Sequence, residues 1–175
     1  MKRTQHPYMF FWNMDGFTLI ELLIVITILV TVVGFGLASY NGFNRRERLK
    51  QTALTLKSNL RFAQTKAISA EKPSSGCSTF VGIEVGFSAS AYTTQHVCAP
   101  EGVIPTADCT PGSIVDCVLL PSDVTFSPIP SNVTFQTLTN RASITSDLTI
   151  TLTNGMQSYA LVVSPNGSVS ERGFQ

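Results

Sequence analysis

The feature that most constrains this chain is a long apolar segment near its N-terminus. Residues 17–38 comprise 22 amino acids with a single charged side chain, Glu21. As a helix rising about 1.5 Å per residue, the segment would measure about 33 Å, enough to cross the hydrocarbon core of a bilayer. A carboxylate inside such a helix costs roughly 2.5–3.5 kcal/mol at mid-depth, so it usually has a specific partner. The segment predicts a transmembrane or assembly helix in which Glu21 meets a positive group.

The residues before this segment indicate how it is processed. Lys2 and Arg3 lie at the start of the chain, and Gly16 immediately precedes the apolar segment. A conventional secretory signal has its apolar part before the cleavage site. Here the apolar part follows Gly16, so cleavage after this glycine would leave it as the N-terminus of the mature chain.

The string GFTLIELLIVI at Gly16–Ile26 resembles the N-terminal motif of type IV pilins and of the pseudopilins of type II secretion. The resemblance implies that a prepilin peptidase cleaves after Gly16 and that the new N-terminal residue, Phe17, is methylated. It also implies that Glu21 pairs with the N-terminal ammonium group of another subunit during assembly. The alternative is an ordinary single-pass anchor whose glutamate lies close to the membrane interface.

An apolar stripe continues beyond this segment. No proline occurs between Gly16 and Lys72, and apolar residues recur at alternating steps of four and three. The stripe consists of Leu49, Ala53, Leu56, Leu60, Ala63 and Ala67. This spacing predicts an amphipathic helix that reaches about Ala70. Because a helix cannot bury such a stripe alone, we expect a second layer to cover it.

Beyond residue 73 the pattern changes to short strands and turns. Proline, serine and glycine at residues 73–76 predict the end of the helix. The predicted strands are Thr79–Val85, Ala91–Val97, Val115–Leu120, Val133–Leu138, Leu148–Thr153, Ser158–Val163 and a short one at Ser168–Ser170. Asn154-Gly155 predicts a tight hairpin turn.

These patterns together predict an α+β fold, in which a long N-terminal α-helix packs on an antiparallel β-sheet head. We divide the chain into a leader peptide at residues 1–16, a transmembrane and assembly helix at 17–38, an amphipathic stem at 39–72 and a β-rich exported head at 73–175.

Charge is distributed unevenly along the chain, although the net charge is only +1. Residues 45–72 carry a net charge of +6, whereas residues 73–175 carry −5. A basic stem joined to an acidic head favours association of the head of one subunit with the stem of another, or a stem near anionic lipid. A solvated helix face is the plain alternative.

All four cysteines lie in the predicted head. They form no CxxC pair, and the head contains one histidine, His96, so a zinc site is disfavoured. An even number in an exported domain favours two disulfides. Of the three pairings that exist, we favour the one that joins neighbours along the chain, with free buried thiols as the alternative. The favoured pairs are Cys77–Cys98 and Cys109–Cys117.

Within the superfamily, two segments resemble the GspH/FimT group of minor pseudopilins and minor pilins. Residues 60–68 are similar to the stem end of that group, and residues 155–169 to its terminal hairpins. The resemblance implies a minor structural subunit in the inner membrane, with a cytoplasmic N-terminus and an exported head. The implied partners are the prepilin peptidase, other pilin or pseudopilin subunits and the membrane. A major pilin is the alternative, although many of those carry proline where this chain has Ala38.

Two other classes of function fit the sequence less well. Some FimT-type minor pilins bind DNA through basic residues near the C-terminus, but this tail offers only Arg172 beside Glu171, and nucleic acid requires clustered positive charge. An enzyme is disfavoured because His96 has no supporting signature and the chain has no nucleophile elbow, metal-ligand spacing or phosphate loop. No cofactor is predicted.

Overall fold

The computed structural model describes residues 16–72, 77–99, 102–103 and 116–175, without the side chains of 35–39, 102–103 and 116. The predicted leader, apart from Gly16, and Cys109 lie outside the described residues. The chain divides into two compact units, Met1–Gly42 and Phe43–Gln175.

The predicted long helix is present as α1, Leu19–Ile68. Past its C-terminal end, Ala70 has a left-handed backbone with a φ of 50°. The amide of Glu71 then donates to the carbonyl of Lys66 at 3.2 Å, which satisfies one of the carbonyls left over at a helix end. The helix therefore ends two residues before the predicted Ala70.

Nine strands follow among the described residues. They are β1 (Thr79–Phe87), β2 (Ala91–Ala99), β3 (Gly102–Val103), β4 (Asp116–Leu119), β5 (Thr125–Phe126), β6 (Val133–Gln136), β7 (Leu148–Thr153), β8 (Ser158–Val163) and β9 (Val169–Phe174). The first sheet has the order β3-β2-β1-β6, with β4 also paired to β2, and the second has the order β5-β7-β8-β9. Every pairing is antiparallel.

The apolar stripe of the stem forms one wall of the core. Its six residues, Leu49 to Ala67, are all fully buried. They belong to one apolar cluster with residues of both sheets, including Ile83, Phe135 and Leu161. The prediction that a second layer covers the stripe is therefore confirmed, and the fold is α+β with an antiparallel head.

Short strands and strand ends account for most differences from the sequence-based predictions. β7 and β8 have the predicted limits, but the two-residue strands β3 and β5 were not predicted. The prediction that the β6 strand reaches Leu138 is wrong, because this residue has a left-handed backbone with a φ of 57°. Conversely, β9 extends to Phe174, four residues beyond the predicted end.

Within the part of the chain that the structure describes, no helix has both the length and the apolar character needed to cross a membrane.

Candidate processing and assembly segment

Gly16 lies in an exposed, non-helical stretch immediately before α1. A Cβ atom built on this glycine would have no neighbour within 4 Å, and its φ is not in the left-handed region. Neither packing nor backbone conformation within the described chain therefore requires glycine at this position.

The apolar side chains that follow are exposed. Phe17 and Leu19 are 80% and 82% exposed. The other large apolar side chains up to residue 33 are each at least 45% exposed: Ile20, Leu22, Leu23, Ile24, Val25, Ile26, Ile28, Leu29, Val30, Val32 and Val33. A contiguous apolar surface of this extent marks a site that meets another protein or a lipid phase.

Thr18 caps the first turn of α1. Its hydroxyl oxygen accepts a hydrogen bond from the amide of Glu21 at 3.3 Å, and its carbonyl accepts one from the amide of Leu22 at 3.2 Å. This places Glu21 at the third helical position, where a carboxylate interacts favourably with the positive end of the helix dipole. The capping role of Thr18 is not among the sequence-based predictions, although the spacing Thr-x-x-Glu is a known signal for a capped helix start.

The carboxylate of Glu21 is exposed and belongs to neither ion pair of the described residues. The structure therefore places Gly16, Phe17 and Glu21 near one another only because they are close in the sequence. The segment presents an exposed glycine at the predicted cleavage position, an exposed aromatic residue and an exposed acid at the start of an apolar helix.

The basic stem and the acidic head contact each other within the chain. Arg48 Nη1 lies 3.3 Å from Asp123 Oδ1, and Lys57 forms an ion pair with Glu171. In addition, Arg61 donates to the carbonyl of Val169 at 3.2 Å. Two basic residues of the stem thus pair with two acidic residues of the head within the same chain.

The Lys57–Glu171 pair is linked to a buried tyrosine. Tyr159 donates a hydrogen bond to Glu171 Oε2 at 2.7 Å. Burial raises the pKa of Tyr159 to about 12, with further contributions from this hydrogen bond and from the charge of Glu171. The pKa of Glu171 is lowered, first by the hydrogen bond from Lys57 and then by that from Tyr159.

A disulfide joins the chain after the stem to the first sheet. Cys77, two residues before β1, is bonded to Cys98 on β2, with a Cα–Cα distance of 5.4 Å. Cys117 on β4 is also disulfide-bonded, and Cys109, the other half of the second predicted pair, lies outside the described residues. The first predicted pairing is confirmed, and the alternative of free thiols is wrong for the three described cysteines.

His96 lies partly buried on β2, where its ring centroid is 5.7 Å from that of Phe80. Among the described residues, no group of three or more histidine, cysteine, aspartate or glutamate side chains is placed to hold a metal ion.

Comparison with known proteins bears on the N-terminal segment. No curated protein and no solved structure matches this chain. Residues 13–37 match the family model of the prokaryotic N-terminal methylation motif, and this match supports placing the chain in the type IV pilin and pseudopilin superfamily.

Proposed function

We propose that this chain is a minor structural subunit of a type IV pilus or a type II secretion pseudopilus, processed after Gly16 and assembled through its N-terminal helix. The motif match supports processing by a prepilin peptidase and assembly with other pilins. Proteins with this motif are structural rather than enzymatic.

The single observation that carries the proposal is the exposed apolar start of α1 with one acid in its first turn. Folding of the described chain leaves this surface exposed from Phe17 to Val33. Burial of apolar area contributes about 25 cal/mol per Å², so packing of these side chains against neighbouring helices would supply a large driving force for assembly. A carboxylate at Glu21 is tolerable in such an apolar bundle when an ammonium group neutralises it, and cleavage before Phe17 would create that group.

The environment of Gly16 agrees with recognition by an enzyme. No contact or backbone conformation in the described chain requires glycine at position 16. The requirement for glycine in the motif would therefore come from another molecule. The exposed, non-helical backbone at residues 16–18 is accessible to a peptidase.

We assign the subunit to the GspH/FimT group on the resemblance of residues 60–68 and 155–169. In this assignment the subunit is held at the inner membrane before assembly, with its N-terminus on the cytoplasmic side and its disulfide-bonded head outside. The disulfide between Cys77 and Cys98 favours an oxidising compartment for the head.

The first test concerns cleavage. Replacement Gly16→Val should leave the uncut precursor in the membrane fraction, because a branched side chain blocks the peptidase without disturbing any contact of the folded chain. Gly34→Val is the matched control, since a Cβ atom at Gly34 also has no neighbour within 4 Å. Immunoblots of precursor size compare the two variants, and normal cleavage of the Gly16 variant would contradict the proposal.

The second test concerns assembly. Glu21→Gln should be cleaved normally but should give at least about tenfold fewer filaments, because the new ammonium group loses its counter-charge. Glu71→Gln, which changes another exposed acid just beyond the same helix, is the control. Filaments sheared from cells and quantified by immunoblot give the measurement, and equal yields from both variants would reject the role of Glu21.

A further inference from the structure

An exposed patch in the unit Phe43–Gln175 combines positive charge with apolar side chains. We call it the basic rim and define it by four residues: Phe43, Arg45, Arg46 and Met156. Phe43 and Met156 are 64% and 76% exposed, and both arginines are exposed as well. The first three residues lie on α1, whereas Met156 lies in the turn between β7 and β8. Folding thus brings charged and apolar side chains from distant parts of the chain to one surface.

Both arginines of the rim are held by neutral groups. Arg45 Nη1 lies 3.7 Å from Met156 Sδ, and Arg46 Cζ lies 4.4 Å from the centroid of the Phe174 ring. Neither arginine belongs to an ion pair among the described residues. A thioether sulfur and an aromatic face carry no negative charge, so both guanidinium groups keep a positive charge and N–H donors for an anionic partner.

The turn that carries Met156 is fixed by hydrogen bonds. Asn154 Oδ1 accepts from the amides of Met156 at 3.1 Å and of Gln157 at 2.9 Å. The side-chain amide of Asn154 donates in turn to the carbonyl of Arg45 at 3.4 Å. The rim is therefore a preformed surface, and a partner would not have to order the backbone on either side of it.

Charge narrows the class of partner. Residues 43–50 contain four basic residues and one acid, Glu47, which gives a net charge of +3. The two ion pairs between stem and head already use two acids of the head. A second copy of this head would therefore offer the rim few acids, whereas a bilayer that contains anionic lipid presents a continuous negative surface.

The apolar members of the rim favour the same partner. Surfaces that bind to membranes combine exposed apolar side chains with arginine and lysine, because the interfacial layer of a bilayer takes up both. Free phosphate would neutralise the two arginines but would leave Phe43 and Met156 in water. A lipid surface is thus the partner that accommodates all four residues.

The place of the rim in the sequence agrees with a contact at the headgroups. About 20 helical residues cross a hydrocarbon core of about 30 Å, so an anchor that begins at Phe17 would end near residue 36. Phe43 follows about seven residues later, and aromatic and basic residues are common at the interface just beyond an anchor.

We propose that the basic rim binds anionic lipid headgroups at the membrane surface. Arg45 and Arg46 donate hydrogen bonds to the lipid phosphates. Phe43 and Met156 enter the interfacial layer. The proposal rests on the membrane-held state in the proposed function, although every residue of the rim lies in the unit Phe43–Gln175.

The first experiment uses the full chain in phosphatidylcholine nanodiscs, with ¹³C-labelled methionine methyl groups. The fraction of phosphatidylglycerol is raised from 0 to about 40% while the methyl resonance of Met156 is followed. We expect a saturable shift that is lost in about 0.5 M NaCl, because salt screens exposed charges. Contacts between acyl chains and residues 17–33, measured in discs without phosphatidylglycerol, report on the anchor alone. Failure of the membrane-held state and failure of the rim are therefore distinguishable.

The second experiment removes the anchor. All members of the apolar cluster lie between residues 49 and 174, so the fragment 43–175 keeps the whole core as one compact unit. The fragment should bind vesicles that contain phosphatidylglycerol at least about thirtyfold more tightly than phosphatidylcholine vesicles, because each arginine contributes about fivefold near an anionic surface. Inorganic phosphate, at a concentration equal to that of the lipid phosphate, should not release it.

Two double variants test which charges act. Arg45→Gln with Arg46→Gln should weaken vesicle binding about thirtyfold and remove the shift of Met156. Lys72→Gln with Arg141→Gln removes the same charge from exposed positions elsewhere in this unit, and it should leave binding nearly unchanged. Thermal unfolding of both variants confirms that they are folded.

Several results would overturn the proposal. Equal binding to both kinds of vesicle, or unchanged binding by the folded variant without Arg45 and Arg46, would remove the role of the rim. Equal losses in the two double variants would mean that only net charge matters. Release by inorganic phosphate would assign the arginines to a free anion. A shift of Met156 that follows protein concentration instead of phosphatidylglycerol would assign the rim to a second copy of the chain.

Discussion

Replacement of Gly167 by alanine should destabilise the head far more than the same change at Gly155. Gly167 lies in the turn between β8 and β9, where its amide donates to the carbonyl of Ser164 at 2.8 Å. A Cβ atom there would lie 1.9 Å from the carbonyl oxygen of Asn140 and 2.7 Å from Gln64 Nε2. The first of these neighbours is backbone, so relief requires the turn to move away from the 137–140 loop and from the stem.

Gly155 provides a matched control for the backbone contribution. Its φ of 81° is nearly equal to the 80° of Gly167, but a Cβ atom at Gly155 would have no neighbour within 4 Å. Left-handed backbone costs an L-residue about 1–2 kcal/mol, and the loss of unfolded-state freedom offsets about 0.4–1 kcal/mol of that. We therefore expect Gly155→Ala to cost about 1 kcal/mol.

At Gly167 the overlap adds the cost of overpacking, about 1–3 kcal/mol, for a total of about 2–4 kcal/mol. In a domain the size of residues 43–175, 1 kcal/mol lowers the melting temperature by about 4 °C. The Gly155 variant should then melt about 4 °C lower than the parent and the Gly167 variant about 8–16 °C lower.

Calorimetry of the fragment 43–175, which forms one compact unit, measures both shifts with the disulfides intact. Equal shifts for the two variants would refute the reasoning, because they would mean that no close contact joins the β8–β9 turn to Asn140 and Gln64. If Gly155→Ala lost no stability, the cost assigned to a left-handed backbone at an alanine would be refuted.

Two further predictions concern the contact between stem and head. Leu60→Ala should lower the free energy of unfolding by about 2–5 kcal/mol, because Leu60 is fully buried. Leu54→Ala, at a site that is 37% exposed, should lower it by well under half as much. Denaturant titrations measure both values, and equal costs would argue against the stripe as the packing face. Because the pKa of Glu171 is lowered in the fold, its ionised carboxylate stabilises the fold at pH values above the unfolded-state pKa of about 4.3. This stabilisation is lost as the pH falls through the lower pKa of the folded state. The stability difference between the parent chain and Glu171→Gln should therefore shrink as the pH is lowered from 7 to about 2, and a difference independent of pH would contradict the Lys57–Glu171–Tyr159 arrangement.

Local and periodic signals made much of this fold predictable from the sequence. The stem stripe followed from its heptad-like spacing, and the limits of β7 and β8 followed from alternation and from the Asn154-Gly155 turn. The contiguous string around Gly16 and Glu21 predicts a processing segment, and the motif match over residues 13–37 supports this prediction.

Other features depend on contacts between residues distant in sequence or on elements too short to show a period. β3 and β5 have two residues each, which is a single repeat of an alternating pattern and too short to show a period. The pairing of Lys57 with Glu171 joins residues 114 positions apart. Leu138 is apolar and is not of a residue type that favours a left-handed backbone, yet it adopts one in the turn after β6.

The bond between Cys77 and Cys98 also determines how the head would respond to mechanical force. Tension that arrives along the backbone from α1 reaches Cys77 first and can cross the sulfur bridge directly to the far end of β2. The β1–β2 hairpin then lies in a closed loop that bears no load. Since 21 residue steps separate the two cysteines and their Cα atoms are 5.4 Å apart, the bridge removes about 65 Å of extension at ~3.4 Å per residue. A head pulled from its stem would therefore stretch by that much less before the chain became taut.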